Sequence, residues 1–181
     1  GGTATLTVAN GGAVGPVTLL SLDATGTGGI GLTQSGDGIG GTARITVSGA
    51  GSFLSATQSF VEAGGDGGGD LGPLQTQNGG DGIGGIAEVL INADAASTVS
   101  AGQLLASALG RGGDASGAEN VTGGDAVGGT ATLTVEGGVD AQFTAITLNA
   151  SAAAGSGISP SGTAGQTGSA SAQRETPAAT N

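Results

Sequence analysis

The chain has 181 residues, 42 of them Gly, and 14 acids against three arginines (Arg44, Arg111, Arg174) leave a formal net charge of −11. That balance repels phosphate backbones and anionic membrane surfaces, so nucleic-acid and membrane-surface partners are disfavoured. Cys is absent, which removes disulfide frameworks and thiolate metal sites, and no apolar run approaches the ~18 residues that span a bilayer.

Leu, Ile, Val and Phe make up about a fifth of the residues, the border below which chains fail to offset their ordering entropy. Composition alone leaves order or a disordered Gly-rich spacer open, and pattern has to decide. The sequence has no basic n-region followed by an apolar h-region and no initiator Met, and it starts in mid-repeat. These features read as a mature product or an excerpt of a longer chain.

The first element is GGTATLTV at 1–8, in which Ala4, Leu6 and Val8 alternate with Thr3, Thr5 and Thr7. Period two with β-branched residues predicts a strand with one buried face, whereas a helix would scatter the apolar residues around its circumference. The second element, VTLLSLDA at 17–24, places Leu20, Leu22 and Ala24 on one side. A Gly-rich stretch follows and ends in GDGIGG at 36–41, which predicts a short third strand centred on Ile39. Its flanking glycines suit corners where side chains do not fit.

The pattern then returns. GGTARITV at 40–47 gives Ala43, Ile45 and Val47, and TQSFVEA at 57–63 gives Ser59, Val61 and Ala63. GDGIGG at 80–85, around Ile83, leads into GGIAEVLI at 84–91 with Ala87, Val89 and Ile91. GQLLASA at 102–108 supplies Leu104, Ala106 and Ala108, and GDAVGG at 124–129 surrounds Val127. GGTATLTV recurs unchanged at 128–135 with Ala131, Leu133 and Val135, followed by FTAITLNA at 143–150 with Ile146, Leu148 and Ala150. The second Gly of each pair falls at 2, 41, 85 and 129, in steps of 39, 44 and 44. A weakened fifth copy, GSASAQ at 168–173, comes after a further 39, and Pro177 closes the tail as a partial cap or linker.

Strands that cannot bury a face alone, repeated at a fixed period, stack on their neighbours in sequence. Parallel stacking at ~4.8 Å per rung puts like residues above like, so each inward column keeps nearly constant volume. The fold class is therefore all-β: a parallel β-solenoid of about four repeats (1–39, 40–83, 84–127 and 128–167), a right-handed parallel β-helix being the favoured form. Residues 168–181 are a partial fifth repeat, cap or polar tail. A repeat of 44 admits either two rungs, one of them Gly-rich, or one large coil whose glycines pack as extended chain or protrude as a loop. An uncapped first strand is a template for end-to-end joining with another copy, or for continuation of a longer chain.

GGTATLTV, LSLDATGTGG and GDGIGGTARITV resemble the repeats of very large Gly/Ala/Thr-rich surface proteins of Gram-negative bacteria, namely autotransporter passengers and filamentous-haemagglutinin-like adhesins. The resemblance spans about residues 1 to 170. It implies secretion to the cell surface, a β-helical stalk, and an adhesive or fibre-forming role. No outer-membrane barrel or receptor-binding tip accompanies these motifs.

Side-chain chemistry is sparse. GGDGIG at 79–84 and GGDGGGD at 64–70 approach the calcium nonapeptide G-G-x-G-x-D-x-U-x, but Gly84 stands where its Asp belongs and Asp70 comes one residue late. Asp37, Asp81, Asp125, Asp66 and Asp70 are thus calcium candidates beside a simpler role as acceptors for main-chain N–H groups in Gly-rich corners. Thr3, Thr5, Thr7 and Thr130, Thr132, Thr134 form rows interrupted by Arg44, Ile86, Glu88 and Leu90, which suits a solvated strand face better than a regular ice-binding array. With no His, Cys, Lys or Tyr, carboxylates are the acid–base groups left. Asp66 with Asp70, or Glu88 with its neighbours, would have to act without aromatic sugar-gripping residues, and no catalysis is expected. Asn120-Val121-Thr122 and Asn149-Ala150-Ser151 are chance-length sequon matches. The function reading is a non-enzymatic filament or adhesin stalk at the bacterial surface, with a calcium- or glycan-binding adhesin module as the alternative.

Overall fold

A computed structural model describes residues 1–69, 76–117, 120–158 and, as a backbone strand, 171–175. Among the described residues every regular element is a strand, and all strand pairs within the sheets are parallel. The first coil comprises β1 (Thr3–Ala9), β2 (Ala13–Asp23), β3 (Gly26–Thr27) and β4 (Gly38–Ile39). The second repeats it as β5 (Thr42–Gly49), β6 (Phe53–Glu62), β7 (Gly65–Asp66) and β8 (Gly82–Ile83). The third is β9 (Ile86–Ala93), β10 (Thr98–Ser107), β11 (Gly110–Arg111) and β12 (Ala126–Val127). β13 (Thr130–Glu136), β14 (Asp140–Asn149) and β15 (Ala152–Ala153) follow, then β16 (Ser171–Glu175).

Like strands stack into four sheets, ordered β1-β5-β9-β13-β16, β2-β6-β10-β14, β3-β7-β11-β15 and β4-β8-β12. The chain is a parallel β-solenoid, and each repeat forms one large coil rather than two rungs. Ala4 pairs with Ala43, Leu6 with Ile45 and Val8 with Val47; the same columns run on through Ala87, Val89 and Ile91 to Ala131, Leu133 and Val135. These side chains meet Leu22, Leu54, Val61, Val99, Leu104 and Ala106 from the opposing sheet, and together they form the core. Ala43, Val47, Ala87, Ile91 and Ala131 are fully buried there, while Ala4 and Leu6 in the first coil are only half-covered.

The second strand is longer than its apolar pattern indicated. It begins about four residues earlier and adds the columns Val14–Leu54–Val99–Ala141 and Val17–Ala56–Ala101–Phe143. Two successive residues then lie outside, Thr57 and Gln58 or Gly102 and Gln103, before Ser59 and Leu104 turn inward. That shared bend breaks strict alternation and hides the strand's first half. An extra residue between Val14 and Val17 bulges β2, and Pro16 is accommodated there because β2 is an edge strand.

The arc from first to second strand is a tight turn whose chemistry differs by coil. Asn10 (φ 51°) and Gly11 (φ 81°) form it in the first coil, and Gly137 (φ 81°) with Gly138 (φ 80°) in the fourth, the Asn-Gly and Gly-Gly pairs that two-residue turns demand. In the third coil Asp94 does this work, accepting from the Ala96 N–H at 3.1 Å and the Ser97 hydroxyl at 3.0 Å.

The other half of each coil has almost no side-chain interior. Gly26 stands against the carbonyl of Ile39, Gly65 against that of Ile83 and Gly110 against that of Val127, so close that a Cβ on any of them would collide with the carbonyl. Main-chain bonds tie the two layers together in a zigzag. Gly36 N–H donates to Gly29 O (2.7 Å), Gly68 to Gly36 (3.0 Å), Gly80 to Gly68 (2.8 Å), Gly113 to Gly80 (2.9 Å), Gly124 to Gly113 (2.9 Å) and Gly155 to Gly124 (2.9 Å). The Gly-rich stretch is extended chain packed on extended chain, with Gly where a Cβ would meet a facing carbonyl. The third strand exists at the expected place, yet it turns Gly38, Gly82 and Ala126 inward and leaves Ile39, Ile83 and Val127 outside.

The fifth copy is displaced from the sequence alignment. β16 pairs Ser171 with Thr130 and Ala172 with Ala131, two residues later than a 39-residue step implies. The first residues of GSASAQ lie outside the described residues.

Candidate functional site

Stacking at one coil per repeat puts Asp37, Asp81 and Asp125 in one row along the solenoid. Asp37 Oδ1 accepts the Asp81 N–H at 2.9 Å, and Asp81 Oδ1 accepts the Asp125 N–H at 2.8 Å. Asn78 Oδ1 takes the Thr122 N–H at 2.9 Å, and Asp114 Oδ1 takes the Ser156 N–H at 2.7 Å, by the same device. Each of these side-chain oxygens accepts a main-chain N–H of the next coil, so it acts between coils rather than within a turn.

Asp66 lies elsewhere, on β7, in register with Thr27 and Arg111. It lines a hollow with Glu62 and Arg111 on the layer opposite the aspartate row. Asp70 lies outside the described residues. Among the described residues no three His, Cys, Asp or Glu side chains gather closely enough to hold a metal ion. Glu88 forms an ion pair with Arg44 of the preceding coil, so this acid is engaged by a cation rather than set opposite a second carboxylate.

The two threonine rows are also kept apart. Thr3, Thr5 and Thr7 sit on β1, Thr130, Thr132 and Thr134 on β13, and β5 and β9 lie between them. Arg44, Ile86, Glu88 and Leu90 occupy the intervening positions.

Sequence reasoning missed a polar bracket at the far end of the glycine half. Gln77 is fully buried. Its main chain exchanges bonds with Ser116, N–H to Ser116 O at 2.8 Å and O from Ser116 N–H at 3.0 Å, while its amide donates to the Ser35 hydroxyl. No periodic signal marks it, because Ser35, Gln77 and Ser116 are 42 and 39 residues apart.

Two surfaces remain. One is a groove of ≈ 590 Å³ along the stack, lined by the four Gly-Gly pairs from Gly1 to Gly129 together with Thr3, Thr42, Ile86 and Thr130. None of these lining residues has a charged side chain. The other is the face of the first coil, where β1, β2, β3 and β4 each have a neighbour on one side among the described residues. At the opposite end β13 is covered by β16. Searches against protein-family models, curated proteins and solved structures found no match to this chain.

Proposed function

We propose that this chain is a non-enzymatic structural element of a bacterial cell surface, an extracellular filament or adhesin stalk built by coil-on-coil stacking. One observation carries the reading. Like strands stack in strict parallel register from coil to coil, with Leu6, Ile45, Val89 and Leu133 in one column, so a single unit repeats along one axis. The Gly/Ala/Thr-rich repeats, with their resemblance to bacterial surface stalks, support the same role and an extracellular location.

The test is negative-stain microscopy of the purified chain across a concentration series. End-to-end filaments one coil wide are expected. Discrete particles at every concentration would overturn the reading.

A further inference from the structure

Asn or Asp precedes Gly at Asn10-Gly11, Asp37-Gly38, Asp66-Gly67, Asn78-Gly79 and Asp81-Gly82. Gly has no Cβ to shield its nitrogen, so at each of these steps that nitrogen can attack the carbonyl carbon of the preceding side chain. To do so it must give up its proton and any hydrogen bond that the proton makes. Four of the steps are held shut between coils. Gly38 N–H donates to Asp81 O at 2.8 Å, Gly67 to Arg111 O at 2.7 Å, Gly79 to Thr122 O at 3.0 Å and Gly82 to Asp125 O at 2.9 Å. Asn78 is fixed twice more, its Oδ1 accepting the Thr122 N–H at 2.9 Å and its own N–H donating to Thr33 O at 3.1 Å. Gly79 is buried as well. Asn10 and Gly11 are exposed in the turn that Gly12 N–H closes on Ala9 O at 3.0 Å. Among the described residues neither the Gly11 N–H nor the Asn10 carboxamide has a hydrogen-bond partner. This openness belongs to the turn rather than to the first coil. The N–H groups at the same place in the second and fourth coils, Ala50 and Gly138, have no partner among the described residues either, although a coil precedes each. The Asn10 side chain itself lies toward the following coil, over Gly49.

We infer that Asn10 is a site of spontaneous deamidation, and that bonding between coils protects Asn78 from the same reaction. The Gly11 nitrogen loses its proton to water and bonds to Asn10 Cγ. The bond from Cγ to the amide nitrogen breaks, and that nitrogen leaves with a proton as ammonia. Water then opens the cyclic imide at either carbonyl, giving aspartate or isoaspartate; the balance is one water consumed and one ammonia released, with no change of oxidation state. Either product adds one negative charge to the turn. The aspartyl form is an acid of the kind that Asp94 already supplies to the third-coil turn. The isoaspartyl form lengthens the main chain by one carbon between Ala9 and Gly12, whose bond closes the turn.

The test incubates the full chain at mildly alkaline pH, folded and in concentrated urea, and follows both Asn-Gly steps by peptide mass spectrometry. In the folded chain Asn10 is expected to convert about tenfold or more faster than Asn78, because Asn78 has to wait for local opening of the stack. In urea the two should convert at similar rates, which removes any difference in intrinsic reactivity. Asn10→Gly, which copies the Gly137-Gly138 turn of the fourth coil, should keep the strand signal in circular dichroism and lose the early ammonia release. Equal rates at Asn10 and Asn78 in the folded chain overturn the inference. So does an Asn10 that stays intact in the folded chain, whatever happens in urea.

Discussion

A Cβ added at Gly82 would collide with the carbonyl of Arg111 in the facing layer, whereas one added at Gly29 meets nothing within 4 Å. Both are glycines of the same thin half, so the pair separates close packing from general glycine content. Gly82→Ala is expected to destabilise by about 3 kcal/mol, the top of the usual range for overpacking an interior that cannot yield. For a chain of this size that lowers the melting temperature by roughly 6–12 °C. Gly29→Ala should stay within about 0.5 kcal/mol of the parent. Differential scanning calorimetry reads both, and equal effects would mean that the glycines do not pack layer on layer. The sequence shows that glycine is abundant and recurs at 44, but not which glycines face a carbonyl. That depends on how the two layers meet, as Ile39 illustrates: its apolar side chain marks the strand correctly and still lies outside, because Gly38 is the residue with room to turn inward.

At the level of single elements, legibility follows how strictly each strand alternates. The columns through Leu6, Ile45, Val89 and Leu133 were readable in full because β1, β5, β9 and β13 keep period two without interruption. β6 and β10 were readable only in their second halves, since the paired outward residues at Thr57–Gln58 and Gly102–Gln103 reset the phase. Ile45 is 1% exposed and fixed between Leu6 and Val89, so Ile45→Asp leaves a carboxylate buried without a partner and costs several kcal/mol. Ile45→Val should cost about 1 kcal/mol. Denaturant midpoints compare the two, and a folded Asp variant of parental stability would place Ile45 on the outer face.

The turns add a pH dependence. The hydroxyl of Thr25, then its N–H, holds the Asp23 carboxyl below the usual value, and the Ser97 hydroxyl chiefly does so for Asp94. A lowered folded-state value means that the contribution is complete above about pH 4, the unfolded Asp value, and is lost as the pH falls through the folded one. The melting-temperature gap between the parent and Asp94→Ala should therefore narrow from pH 5 to pH 3, and a gap that stays constant would separate the turn from this carboxylate.

Across the whole molecule, stacking multiplies charge. In the proposed filament each further copy would add a net −11 to the same axis, and the parallel register sets acids of one kind in rows, as with Asp37, Asp81 and Asp125. The Arg44–Glu88 pair balances one column, but the three arginines cannot offset 14 acids. A joint like those between coils of the stack would be made of main-chain groups, Thr, Ala, Leu and Val, so attraction across it would be short-ranged while repulsion between whole copies would reach over a Debye length. That length is about 30 Å at 0.01 M salt and about 8 Å at 0.15 M. Raising salt across this interval should thus speed elongation and lower the concentration at which filaments appear, followed by light scattering of the purified chain. Replacing NaCl with a divalent chloride at equal ionic strength should give the same curve if screening is the cause, and a lower threshold in the divalent salt would point to cation binding at the carboxylates instead. Filaments that dissolve as salt rises would instead show that copies are held by ion pairs, and the main-chain edge would lose its role as the joining surface.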